Sequence, residues 1–343
     1  MNRRTFLSNT AATVLSPLMA ESYPPSKLGI ATTSYLSVWR PKDTYEFLEH
    51  CHALGAAGIQ AGVHGDIAGE ATGRAEIALI RKRAEELGMF VEAMVSMPKG
   101  SDTSAFEQAL KDAREVGAVA LRSACLGSRR YETYDSLDAW QQHVKESHAS
   151  IAAALPLLDR YKIPLGLENH KDWTAAEMAA IMKKYSSEYF GVCLDFGNNI
   201  SLLDDPMGVI ETLAPYTVST HLKDMAVDTH SDGFLLSEVL LGEGYLDLPR
   251  AIRLVQQARP KARLSLEMIT RDPLKVPCLT DKYWASFPDR GGLYLARTLR
   301  FVANHKSAKP LPGISQLSHE EQLKLEDQNV IACLRYAREK LGL

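Results

Sequence analysis

Four apolar segments in the second half of this chain each carry, at or near the C-terminal end, a side chain able to bind a divalent cation. They are Glu168 in LGLENHKD, Asp195 in VCLDFGN, His221 in VSTHLKD and Glu267 in LSLEM. A lone acid or imidazole after an apolar run carries little information. Three carboxylates and one imidazole recurring at the same place in consecutive units define one pocket, because a parallel α/β barrel gathers its chemistry at the C-terminal ends of its strands. Three hard oxygen donors and one nitrogen suit one Mn²⁺, Mg²⁺ or Co²⁺ ion, with Zn²⁺ also admissible. Glu168 and Asp195 sit in apolar strands, where an unpaired carboxylate is costly, so a ligand role is expected of both.

The elements that must position these groups alternate along the chain. LGIATTSYL, AGIQAGVHG, MFVEAMVSM and AVALRSACLG read as strands in the first half, PLGLENH, FGVCLDFGN, TVSTHLKD and ARLSLEM in the second, each followed by a helical stretch, the last one over Gly291–His305 beyond a proline- and aromatic-rich segment. Gly55, Gly88 and Gly117 stop three of the helices, where a left-handed residue lets the chain turn into the next strand. TVSTHLKD is expected to lead into a long loop before a helix over 248–258. Ligands from four successive strands can converge in a closed ring but not along an open edge, and no glycine-rich dinucleotide turn follows the first strand. The expected fold is therefore a (β/α)8 TIM barrel over residues 27–306. Residues 307–343 form a C-terminal helical extension, opened by a capping box of Ser318 and Glu321, that packs on the barrel or supports a homo-oligomer.

Composition sets bounds on partners. A chain of 343 residues that is 45% hydrophobic can bury the core of such a barrel without a second domain. A net charge of −3 argues against a broad nucleic-acid surface. The five cysteines, odd in number and without a CxxC pair, argue against a disulfide framework. At the N-terminus, MNRRTFL and the short, weakly apolar stretch after it read as a twin-arginine signal peptide over residues 1–21, too short to span a bilayer. The expectation is export of the folded protein to the periplasm or beyond.

The motifs ENH (168–170), LDFGN (194–198), HLKD (221–224), LGEGYLD (241–247) and LEM (266–268), taken in strand order, resemble the xylose isomerase-like superfamily of TIM barrels. That resemblance implies a metal bound by Glu168, Asp195, His221 and Glu267. It also implies that Glu168 and Glu267 double as proton carriers on opposite faces of a small sugar, in isomerisation or epimerisation through an enediolate. The physics of such chemistry is general: a cation beside a carbonyl acidifies the adjacent C–H. Ketose 3-epimerases of the superfamily carry a histidine where this chain has Asn198 and an arginine near Lys223 and Asp224, whereas HLKD is closer to the dehydratases. A lyase acting on a keto-sugar or keto-glycoside is therefore the alternative, and a non-catalytic sugar-binding barrel the third reading. The endonuclease branch needs additional metal-binding histidines and a basic face, which this chain lacks.

Further side chains are expected near the substrate. His170 and Lys223 lie two residues beyond ligands and keep their strand parity. Gln60 and His64 end the second strand, and Arg122 in the fourth either reaches the pocket or pairs with Glu92 inside the barrel. Glu243 is expected to serve the loop after strand seven.

Overall fold

In a computed structural model that describes residues 23–35, 43–63 and 74–343, the three glycines turn the chain as their sequence context requires. Gly55, Gly88 and Gly117 hold φ of 79°, 66° and 78°, a conformation that a Cβ would disfavour. The first seven strands are β1 (Gly29–Ala31), β2 (Gly58–Gly62), β3 (Phe90–Met94), β4 (Ala120–Ser123), β5 (Leu165–Glu168), β6 (Phe190–Asp195) and β7 (Thr217–Leu222). An antiparallel hairpin, β8 (Asp224–His230) with β9 (Gly233–Val239), precedes β10 (Arg263–Leu266). Strands β1 to β7 and β10 pair in parallel in sequence order, and β10 returns to β1 to close the barrel.

Strand parity divides each run between two environments. Leu165 and Leu167, Val192 and Leu194, and Leu264 and Leu266 are buried on the helix side. Their alternates, Gly166 and Glu168, Cys193 and Asp195, and Ser265 and Glu267, point into the ring, as do Ser219 and His221 of β7. At its lower end the Phe90 ring fills the space beside Gly58, whose added Cβ would meet that ring at 2.4 Å. Above it lies a polar layer in which Glu92 accepts from Gln60 (2.9 Å) and Ser265 (3.1 Å). The top layer carries the four expected ligands.

The stretch after β7 departs from expectation. Instead of a long loop, β8 and β9 form a hairpin across Ser231 and Asp232, and β11 (Leu274–Val276) adds a third strand. The physical signal is the polar turn before Gly233, which holds φ 148° with backbone of Val276 too close to admit a Cβ. Beyond β11, Tyr283 and Phe287 stack, and Arg130 lies between the rings of Trp140 and Phe287. That clamp fixes the proline- and aromatic-rich segment over the barrel.

The capping box of Ser318 and Glu321 opens a helix over His319–Tyr336. Its apolar face is used within the chain: Val330, Cys333, Leu334 and Ala337 are buried. Asn329 donates to Thr270 at 2.9 Å, and Asp327 meets His50 at 3.2 Å. All five cysteines are free thiols. No helix among the described residues is long and apolar enough to cross a membrane. The segment read as an export signal and His64 lie outside the described residues.

Candidate metal centre

β5, β6, β7 and β10 deliver Glu168, Asp195, His221 and Glu267 to one end of the ring, with one donor atom of each within 4.8 Å of the others. His221 Nδ1 stands 3.3 Å from Glu168 Oε1, 3.3 Å from Glu267 Oε1 and 3.7 Å from Asp195 Oδ2. The tautomer follows from the layer below. Gln60 spends its amide N–H on Glu92, so it presents Oε1 to His221 Nε2 at 2.5 Å. Nε2 therefore carries a hydrogen, and Nδ1, buried without a hydrogen-bond partner, is the ring atom that faces the cluster. An Nδ1 among three carboxylates calls for positive charge at that point, either a proton or a cation that displaces it. A histidine oriented through its second N–H is the usual arrangement of a metal ligand, and the residues fit one divalent ion.

Each carboxylate is also steered from outside the cluster. Glu168 Oε2 accepts from Arg122 Nε at 2.6 Å and pairs with Nη2 as well. Asp195 Oδ1 accepts the backbone N–H groups of Gly197 and Asn198, both at 2.8 Å, which fixes the turn after β6. Lys223 Nζ is 2.7 Å from Asp195 Oδ2 and also donates to Glu267 Oε2. Thr33 donates to Glu267 Oε1 at 2.8 Å.

These contacts decide the protonation states. Burial opposes the charge on Glu168, but Arg122 and His221 overcome it and hold this carboxyl well below the usual range. Glu267 is likewise buried, and His221 and Lys223 depress it. Burial disfavours an imidazolium at His221, yet Cys193, Glu267 and Glu168 pull its affinity for a proton well above normal. Where no cation makes contact, burial wins: Glu92 is pushed up to about 7.

Of the side chains expected at the substrate, Gln60 and Lys223 are instead committed to the ligands themselves, because each is fully enclosed and bonded to one. Arg122 pairs with Glu168, not with Glu92. His170 is partly buried, with Nδ1 held 3.0 Å from the carbonyl of Leu126. Glu243 turns outward to Lys309 at 3.1 Å.

Two features escaped the sequence reading. Lys171, three residues past Glu168, has left-handed φ of 62° and is only 4% exposed, and its ammonium donates to Asn198 Oδ1. Burial and the charges of Lys223 and Arg271 lower its pKa to about 8. The second is a paired Glu238 and Arg271, with Nε to Oε2 at 3.0 Å and Nη2 to Oε1 at 2.5 Å. The lysine in ENHKD was a visible signal, whereas Glu238 becomes a site residue only once β9 is recognised as a strand.

Barrel and cluster together define a (β/α)8 protein with a single-ion donor set at the C-terminal end of its strands. The family model described as xylose isomerase-like TIM barrel matches residues 48–285, and the chain belongs to that family. Among curated proteins it is 29% identical over 245 residues to a 3-oxo-isoapionate decarboxylase of Pectobacterium atrosepticum, covering 69% of this chain and 82% of that protein. Among solved structures, a D-psicose 3-epimerase crystallised in the presence of D-fructose superposes with a TM-score of 0.58 at 18% identity, covering 92% of this chain and 99% of that one. The 3-keto-D-glucoside 4-epimerase YcjR of E. coli superposes with a TM-score of 0.54 at 14% identity, covering 81% and 99%. At these identities the structural likenesses speak for the fold.

Proposed function

We propose that this protein is a divalent-metal-dependent sugar-modifying enzyme that generates a carbanion equivalent beside the carbonyl of a small keto sugar. The observation that carries the reading is the buried, unpartnered Nδ1 of His221 surrounded by Glu168, Asp195 and Glu267. When bound there, a divalent cation supplies Lewis-acid polarisation of the substrate and stabilises the enediolate charge. The remaining work falls to the chain. Arg122 holds the Glu168 carboxylate ionised, with Oε1 directed into the cluster, so Glu168 takes the proton from the carbon beside the carbonyl. His170, fixed through Nδ1, accepts a substrate hydroxyl proton at Nε2. Proton return to the same or a neighbouring carbon makes the enzyme an isomerase or epimerase.

A second reading is a lyase, in which a group departs from the carbon beside the carbonyl. The resemblance to a decarboxylase supports it.

The test is ¹H and ¹³C NMR of the Mg²⁺-loaded protein with a panel of keto sugars and keto-sugar acids in D₂O. Deuterium entering beside the carbonyl with the carbon skeleton intact identifies an isomerase or epimerase. Release of CO₂ or of an unsaturated product identifies a lyase. A protein that holds stoichiometric metal and does neither across the panel overturns the catalytic reading in favour of a binding barrel.

A further inference from the structure

The charges around the cluster are not paired one to one. Arg122 lies against Glu168, Lys223 against Asp195 and Glu267, and Arg271 against Glu238. Each of these cations therefore touches a carboxylate. Lys171 is the exception among the described residues of the site: it is nearly as enclosed, yet its ammonium donates to a neutral amide oxygen, that of Asn198. An ammonium has three N–H groups to satisfy. Enclosing one without a counter-charge is costly, and the cost grows once a divalent ion joins the same cluster.

The backbone points the same way. Lys171 occupies left-handed φ/ψ space, where glycine or asparagine is the economical choice. Its carbonyl accepts from Arg130 N at 3.0 Å, which pins that conformation. The neighbouring Asp172 turns back to accept the N–H groups of His170 (3.1 Å) and Trp173 (2.8 Å), so it does not neutralise the lysine. Asn198 connects the ammonium to the cluster, since its Oδ1 accepts from Lys171 while its Nδ2 is 3.3 Å from Glu168 Oε1. A group bound beside Glu168 thus has an unpaired cation one amide away.

We propose that Lys171 anchors a carboxylate of the substrate, so that the enzyme takes a sugar acid rather than a neutral sugar. This rests on the keto-sugar reading above and narrows its substrate class. The carboxylate supplies the missing counter-charge, accepting two N–H groups from Lys171 while Asn198 keeps the third. The lowered pKa of Lys171 describes the ligand-free site, and an anion beside it restores the full charge.

Isothermal titration calorimetry of the Mn²⁺-loaded protein tests this with two probes that differ only at C1, 2-keto-D-gluconate and D-fructose. The expected result is tighter binding of the acid by about ten- to a hundredfold, the range of a charged hydrogen bond. Lys171→Met removes that preference, Lys171→Arg keeps most of it, and both variants bind Mn²⁺ as the wild type does. Equal affinity for the two probes in the wild type overturns the proposal whatever the variants do. A preference that survives in Lys171→Met also overturns it, since the acid is then held by chelation or by another cation. Mn²⁺ titration of the unliganded protein reads the underlying assumption separately: loss of the metal in the wild type defeats the keto-sugar reading itself, whereas normal Mn²⁺ binding without acid preference defeats the anchor alone.

Discussion

Strands β1 to β4 and strands β5, β6, β7 and β10 complete one ring, yet their inward residues differ in kind. The early strands supply Gly58 and Gln60, Phe90 and Glu92, and Arg122, which fill the interior, orient His221 and hold Glu168. The late strands supply every member of the donor cluster. The difference separates supply of charge from supply of direction. A pocket of this type needs both, because a carboxylate left free to rotate, or an imidazole in the wrong tautomer, is a poor ligand.

This division can be broken at three depths. Asp195→Ala and His221→Ala should have the largest effect, weakening Mn²⁺ binding by more than roughly a hundredfold by calorimetry, beyond the range for supporting residues. Near-wild-type affinity in either variant would remove that strand from the ligand set. Gln60→Leu leaves every ligand in place but frees the His221 ring, and should weaken the same affinity by about ten- to a hundredfold. If its effect equals that of the ligand variants, the two halves are not separable.

Glu92→Gln should barely alter the metal and instead change how stability depends on pH. The Glu92 carboxyl is raised to about 7 by burial, above its unfolded value of 4.5. Its contribution is intact below about pH 4.5 and is lost as pH rises through about 7. A glutamine cannot ionise, so urea unfolding should show equal stability of variant and wild type near pH 4 and a gain for the variant of order 1–3 kcal/mol at pH 8. Parallel pH profiles would show that Glu92 does not titrate in that window.

The ring and its donors were legible because both are written locally. An apolar run ending in Asp195 or His221 announces a strand and a ligand in a few residues, and Gly55, Gly88 and Gly117 mark the turns between units. The interior pairings were not legible. Whether Arg122 meets Glu92 or Glu168 depends on the register and stagger of neighbouring strands, which strand parity alone does not fix. The β8–β9 hairpin carried a local signal in Ser231, Asp232 and Gly233, but expectation of a βα loop at that point masked it, and with it the pairing of Glu238 and Arg271. Lys171, though in plain view in ENHKD, gave no sign of its role for another reason: a lysine in a polar loop is ordinarily solvated, and only its enclosure sets it apart.

Closure of the ring joins the chain's early and late segments, since β1 pairs with β10 and Ser34 bonds to Leu266 and Met268. A growing polypeptide that has emerged only through β7 owns three of the donors but lacks Glu267 and the seam that seats it. Such contacts between distant parts of a chain form late. An ion held by all four donors would therefore be captured only once β10 has joined the ring, and its arrival would be a clock for closure of the barrel.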